Sequence, residues 1–150
     1  MNKKLIIIIA IVAILLLGFY FMYTQNTIKI DNTYFTIPEG YHVIDEGDFI
    51  NLTSDNNYLC LMKNPVDENI TTVTHKYSDY KKSHENDTLK FENYQVNGHS
   101  VTKSTSVKHP EIVHYWFVKD GKTYEFYTWA SNSNSDRLVA NLIKTMKTGI

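Results

Sequence analysis

With 150 residues, 15 Lys and Arg against 16 Asp and Glu, and a formal net charge of −1, the chain offers no electrostatic footprint for nucleic acid or an anionic lipid surface. Eleven tyrosines, seven phenylalanines and two tryptophans exclude a disordered polymer, which is poor in aromatics. The single cysteine, Cys60, excludes an internal disulfide, so stability has to come from packing.

Residues 5–23 carry no charge. As a helix this run would rise about 28 Å at ~1.5 Å per residue, close to the ~30 Å hydrocarbon core of a bilayer. Lys3 and Lys4 precede it while Lys29 is offset by Asp31, which by the positive-inside rule keeps the N-terminus in the cytoplasm. Phe19, Tyr20, Phe21 and Tyr23 gather at the far end, where an aromatic belt would sit. The run exceeds a usual signal-peptide core and is followed by no small-x-small cleavage site. The expectation is a cytoplasmic tail at 1–4, a single-pass transmembrane anchor at 5–23, and an extracytoplasmic domain at 27–150, held at the cell membrane.

The domain begins with alternating short strands at 27–31 and 34–37, joined by Asp31-Asn32 with its turn chemistry. Strands are expected at 41–45 and 49–53 around Glu46-Gly47-Asp48, and at 58–63, ended by Asn64-Pro65. Cys60 reads as a buried, inert thiol within that last strand. A Thr-, Val- and Ile-rich strand is expected at 70–75 and a short helix at 78–85, with Ser78 as its cap. Segments 89–96 and 99–107 flank Asn97-Gly98, and 112–119 and 122–130 flank Asp120-Gly121. Both dipeptides are strong two-residue hairpin signals. After Ser135, read as the cap, Leu138, Val139, Leu142, Ile143 and Met146 fall at helical spacing.

A two-residue turn at Asp120-Gly121 opposes 119 to 122, 117 to 124 and 115 to 126. One face of the ribbon then holds Tyr115, Phe117, Tyr124 and Phe126, the other His114, Trp116, Glu125, Tyr127 and Trp129. Both faces are largely apolar, whereas a half-exposed ribbon has one polar face. The ribbon should be central and covered on both sides, with helices at 78–85 and 135–147 as the cover. That is an α+β fold: an antiparallel sheet flanked by helices, preceded by the transmembrane helix.

Phe35-Thr36-Ile37-Pro38-Glu39-Gly40-Tyr41, the tandem hairpins, and Gly121-Lys122-Thr123-Tyr124-Glu125-Phe126 leading into Leu142-Ile143-Lys144-Thr145-Met146-Lys147 resemble the Mog1/PsbP-like fold group. The resemblance implies an antiparallel sheet opened by the Phe-x-Ile-Pro-x-Gly strand and crossed by the C-terminal helix. Members of that group act as photosystem assembly factors or small-GTPase partners, and no residue matching their binding sites is found here. The composition and the N-terminal run also resemble surface proteins of methanogenic archaea.

No motif announces chemistry. His109 and His114 lie five apart across Pro110, and His99 sits in the neighbouring strand, but there is no HExxH or Cys/His cluster with ligand spacing. Glycine-rich phosphate loops and G-x-S-x-G are also lacking. The expectation is therefore no catalytic residue, no metal and no cofactor. The first functional reading is a membrane-anchored binding or assembly module whose partner is another envelope protein. Its contact surface would be His114, Trp116, Glu125, Tyr127 and Trp129, since aromatics around a His and a Glu suit a binding hot spot. The alternatives are a small metal- or ligand-dependent enzyme using the His-bearing hairpins, and a purely structural surface protein. Asn51, Asn69 and Asn86 open N-glycosylation sequons, of which Asn69 and Asn86 are the candidates for modification.

Overall fold

A computed structural model describes residues 3–25, 27–66, 88–129 and 132–149. Two left-handed dipeptides fix its centre. Asn97 and Gly98 have φ of 50° and 82°, and Asp120 and Gly121 have φ of 50° and 78°, the consecutive positive values of a type I′ turn. The first joins β6 (Leu89–Val96) to β7 (His99–Ser106), and the second joins β8 (Val113–Lys119) to β9 (Lys122–Thr128). Lys119 then faces Lys122, Phe117 faces Tyr124 and Tyr115 faces Phe126, the register expected from the turn.

The first half contributes β1 (Thr27–Ile30), β2 (Thr33–Thr36), β3 (His42–Asp45), β4 (Phe49–Ser54) and β5 (Asn57–Met62). The main sheet is antiparallel with order β3-β4-β5-β9-β8-β7-β6. Its two halves meet where Cys60 opposes Tyr127 and Leu61 opposes Phe126. β1 and β2 form a separate sheet with β10 (Lys147–Thr148). The 135–147 segment expected to be helical thus ends in a strand: Lys147 pairs with Tyr34 and Thr148 with Thr33.

One face of the main sheet is the core. Leu52, Leu59, Leu61, Val101, Tyr115, Phe117 and Phe126 are fully buried there. Helix α2 (Ser133–Thr145; α1 is the N-terminal helix described below) lays Leu138, Val139, Leu142 and Ile143 on this face. Beside it the small sheet inserts Ile28, Ile30 and Phe35. The Phe35 ring meets Phe117, Tyr124 and Phe126 edge-on, with centroids 6.4, 6.0 and 5.5 Å away, the arrangement that aromatic quadrupoles favour. The cap of α2 is Asn132, three residues before the expected Ser135. Asn132 Oδ1 accepts from the Asn134 and Ser135 amides, and Ser135 Oγ accepts from the Asn132 amide. Ser135 is the return arm of that capping box.

Two expectations are corrected. The fold is mostly β: among the described residues there are ten strands and two helices. The cover of the core face is one helix plus a small sheet, because β1 and β2 present enough apolar area to do a helix's work; residues 70–75 and 78–85 lie outside the described part. The second correction concerns the transmembrane anchor. Helix α1 covers Lys3–Gln25, but among the described residues no helix is long and apolar enough to cross a membrane.

The closing strand is tied back by a buried lysine. Lys119, 7% exposed, donates to Asp120 Oδ2 and to Thr148 Oγ1, the latter at 2.7 Å. The Lys119 hydrogen bond holds the Asp120 carboxyl below its ordinary value, and Lys122 does the same for Asp31. Both folded values are depressed, so both contributions are complete above the unfolded value of 3.8 and vanish as pH falls through the folded value. Acid unfolding should start below about pH 4, and Asp120→Asn should flatten the pH dependence there, as followed by circular dichroism. Phe35→Ala should cost about 3–5 kcal/mol of unfolding free energy, measured by urea titration.

Candidate functional site

The opposite face of the main sheet carries the residues singled out from the sequence. β8 turns His114 and Trp116 to this side and β9 turns Glu125 and Tyr127, with His114 opposite Tyr127 and Trp116 opposite Glu125. Such directly opposed side chains lie ~5 Å apart, so the aromatics form a continuous ladder. The His114 ring stacks on Trp116 at 5.4 Å and on Tyr127 at 5.5 Å, tilted 13° and 19°. Tyr127 continues to Trp129 at 5.5 Å, and Trp129 packs on Tyr58 of β5 at 4.7 Å. His114 Nδ1 lies 3.0 Å from Glu125 Oε1, an imidazole–carboxylate pair half-sheltered by the stack.

Beneath Tyr58 a polar chain runs into β4. The Tyr58 hydroxyl donates to Asn51 Oδ1 at 2.5 Å, and Asn51 Nδ2 donates to Glu46 Oε2 at 2.8 Å. Asn51 is buried, and both ends of its amide are engaged. With the Asn51 nitrogen so held, the folded chain leaves that sequon unavailable for a glycan. Asn69 and Asn86 lie outside the described residues. Cys60 sits in the same layer, opposite Tyr127 and Asn51. Burial pushes its thiol up, partly offset by a hydrogen bond with Tyr127. Burial pushes the Tyr127 phenol up as well, with Cys60 and Glu125 adding to the effect. A raised thiol is a poor nucleophile, since the thiolate is the reactive form.

The five expected surface residues therefore come together, but not with equal access. Trp116 is 2% exposed and Trp129 is 50% exposed. What faces outward is Trp129, flanked by Tyr127 and Tyr58, with His114 and Glu125 behind. Sequence reasoning missed Tyr58, Asn51 and Glu46, which enter only through the β5–β9 pairing. The available signal was alternation: Tyr58, Cys60 and Met62 share a face opposite Leu59 and Leu61. Among the described residues the histidines do not converge. His99 Nδ1 is 3.3 Å from the Val118 carbonyl and His109 Nδ1 is 3.4 Å from Glu111 Oε1, while His114 is held by Glu125. Among the described residues no group of three or more His, Cys, Asp or Glu is placed to hold a metal ion.

No family model matches the chain, and no curated protein matches it. It is similar to the solution structure of cyanobacterial PsbP (CyanoP) from Synechocystis sp. PCC 6803. The identity is 11%, the alignment covers 79% of this chain and 87% of that one, and the TM-score is 0.48. That likeness concerns the course of the backbone. The resemblance to methanogen surface proteins finds no counterpart among these matches.

Two measurements check the access described here. In a Trp129→Phe variant the remaining Trp116 emission should resist acrylamide, whereas a Trp116→Phe variant should be quenched readily; equal quenching would contradict the burial difference. The native Cys60 thiol should stay unmodified by Ellman's reagent over a period that labels the urea-unfolded chain completely.

Proposed function

We propose that the chain is a binding or assembly module that docks another envelope protein through Trp129, Tyr127 and Tyr58, with His114 and Glu125 at the edge of the contact. The observation that carries this reading is Trp129: a large aromatic, half exposed, held in place by ring contacts with two tyrosines. Trp and Tyr supply most binding energy in protein contacts when their rings are already ordered. The Tyr58–Asn51–Glu46 hydrogen bonds and the His114 stack supply that order, so little rotamer freedom remains to be lost on docking. The His114–Glu125 pair adds a polar group able to fix the orientation of a partner.

The proposal places this work at the cell membrane. Support comes from α1, whose apolar side chains are exposed from 44% at Ile6 to 72% at Phe19, a surface that gains free energy by leaving water. The full chain should sediment with membranes and be released by detergent; recovery in the soluble fraction would remove this part of the reading.

Docking is tested with a photoreactive benzoylphenylalanine at position 129 of the full chain, irradiated in native membranes. A discrete protein adduct is expected there and none from the same group at Val107, which is similarly exposed, at 48%. Trp129→Ala should then weaken capture of the crosslinked protein by about thirtyfold, equivalent to ~2 kcal/mol. Identical adducts from both positions, or undiminished capture by Trp129→Ala, would overturn the assignment.

A further inference from the structure

The main sheet ends at β3 on the side away from β6, and β3 is unlike a guarded edge. Among the described residues no strand pairs with its outer side, and all four of its residues, His42-Val43-Ile44-Asp45, are exposed. The segments leading into and out of it, 37–41 and 46–48, lie among the described residues as well. Edges are usually blunted by lysine, proline or a bulge. β3 holds neither lysine nor proline, and its register with β4 runs without a bulge from His42 opposite Thr53 to Asp45 opposite Ile50. Val43 and Ile44 stand 42% and 47% exposed. Asp45, its one formal charge, is already paired with Lys63.

The backbone of β3 decides what can join it. The Glu46 amide donates to the Phe49 carbonyl at 3.0 Å, so Glu46 turns its backbone groups toward β4. Antiparallel ladders alternate; Ile44 and His42 therefore do the same, and Val43 and Asp45 carry their N–H and C=O groups outward. Outside the strand ladders neither makes a backbone–backbone hydrogen bond among the described residues. An incoming antiparallel strand has to match its own outward groups to these two residues. A two-fold axis at Ile44 achieves this with a second copy, since Val43 of each copy then meets Asp45 of the other. In that register Ile44 faces Ile44, and His42 of each copy faces Glu46 of the other. His42, Ile44 and Glu46 share one face of the strand, so an apolar pair is flanked on both sides by an imidazole and a carboxylate. Asn51 Nδ2 donates to Glu46 Oε2 at 2.8 Å, which steadies that carboxylate at the edge. The next registers the backbone allows oppose His42 to Ile44 or Ile44 to Glu46, and both lose the match.

We infer that a second copy of this chain pairs with β3 edge to edge, antiparallel about a two-fold axis at Ile44, so that one sheet runs through both copies. The contact is isologous, the same patch meeting itself, with main-chain hydrogen bonds supplying affinity and the His42–Glu46 pairs fixing the register. Two four-residue strands bury less than the ~1,200 Å² of stable complexes, so the pairing is weak and reversible in dilute solution. It shares only Glu46 with the docking surface proposed above and does not rest on it.

The test is disulfide trapping of the full chain in detergent under a mild oxidant, with the buried Cys60 left in place. Residues opposed in a non-hydrogen-bonded antiparallel pair have Cα atoms ~4.5 Å apart, within disulfide reach. Ile44→Cys should give a linked dimer about tenfold faster or more than the similarly exposed Val107→Cys, because a formed contact raises the effective thiol concentration. His42→Cys and Glu46→Cys should each dimerise slowly alone. Mixed, with one carrying a size tag, they should link to each other as Ile44→Cys links to itself. All three positions are exposed, and circular dichroism checks that each variant is folded. Adding Trp129→Ala to Ile44→Cys should leave trapping unchanged, which separates this contact from the docking surface. Trapping of Ile44→Cys no faster than that of Val107→Cys, or a mixture of His42→Cys and Glu46→Cys that links no faster than either alone, would overturn the inference.

Discussion

Asp120 and Gly121, at φ of 50° and 78°, hold the β8–β9 ribbon in the register that puts Phe117 against Tyr124 and Tyr115 against Phe126. The rest of the domain is arranged around that ribbon because a one-residue slip would exchange its two faces. The face with Phe117, Tyr124 and Phe126 would then lose Phe35, and with it the small sheet. The face with His114 and Tyr127 would lose its stack against Trp116 and Trp129. A turn of two residues therefore decides both where the core lies and where the exposed aromatics lie. Gly121 matters here for its conformation, since a side chain at this φ is strained.

The small sheet and α2 solve one problem jointly. The core face of a seven-stranded sheet is wider than a single helix, whose diameter is about 10–12 Å with side chains. α2 covers one part with Leu138, Val139, Leu142 and Ile143, and β1–β2 covers another with Ile28, Ile30 and Phe35. The two covers are locked to the sheet by polar ties at their edges. Thr33 Oγ1 and the Tyr124 hydroxyl share a hydrogen bond of 2.7 Å, Lys119 reaches Thr148, and Ser135 Oγ donates to Asn57 Oδ1 at 3.0 Å. Apart from Thr148 these groups are buried, so each bond also removes the desolvation penalty of leaving a buried partner unmatched.

What could be read from the sequence was what local chemistry decides. Asn97-Gly98 and Asp120-Gly121 encode their own turn geometry, so both hairpins and their registers were legible, and with them the separation of Tyr115, Phe117, Tyr124 and Phe126 from His114, Trp116, Glu125 and Tyr127. What depends on partners distant in sequence was not. Nothing near Lys147 or Thr148 announces that they extend β2, and the helical period of residues 138–146 invited reading the helix onward. Nothing near Tyr58 announces that it will support Trp129, since the β5–β9 pairing spans two registered residue pairs. Ser135 is a good cap residue by local chemistry, but Asn132 also reaches the Asn56 carbonyl at 3.1 Å, a tertiary bond that selects the earlier start. The apolar run at 5–23 was read for hydropathy, which indicates burial from water but not by itself what does the burying.

The two faces of the sheet differ in how their order is maintained, and that difference bears on binding. On the core face, order comes from burial, and Phe35, Tyr115, Phe117, Tyr124 and Phe126 are at most 2% exposed. On the other face Trp129 is half exposed, yet its ring is fixed by Tyr58 and Tyr127, and Tyr58 in turn by Asn51 and Glu46. Asn51, which takes part in both hydrogen bonds, is buried, so the two are partly shielded from competing water. An aromatic held this way has already lost the rotamer freedom that a mobile surface side chain loses on docking, a cost of about 0.5–1.5 kcal/mol per side chain. The buried Asn51 contributes no contact surface of its own, but it determines whether Trp129 meets a partner as a fixed ring or as a mobile one.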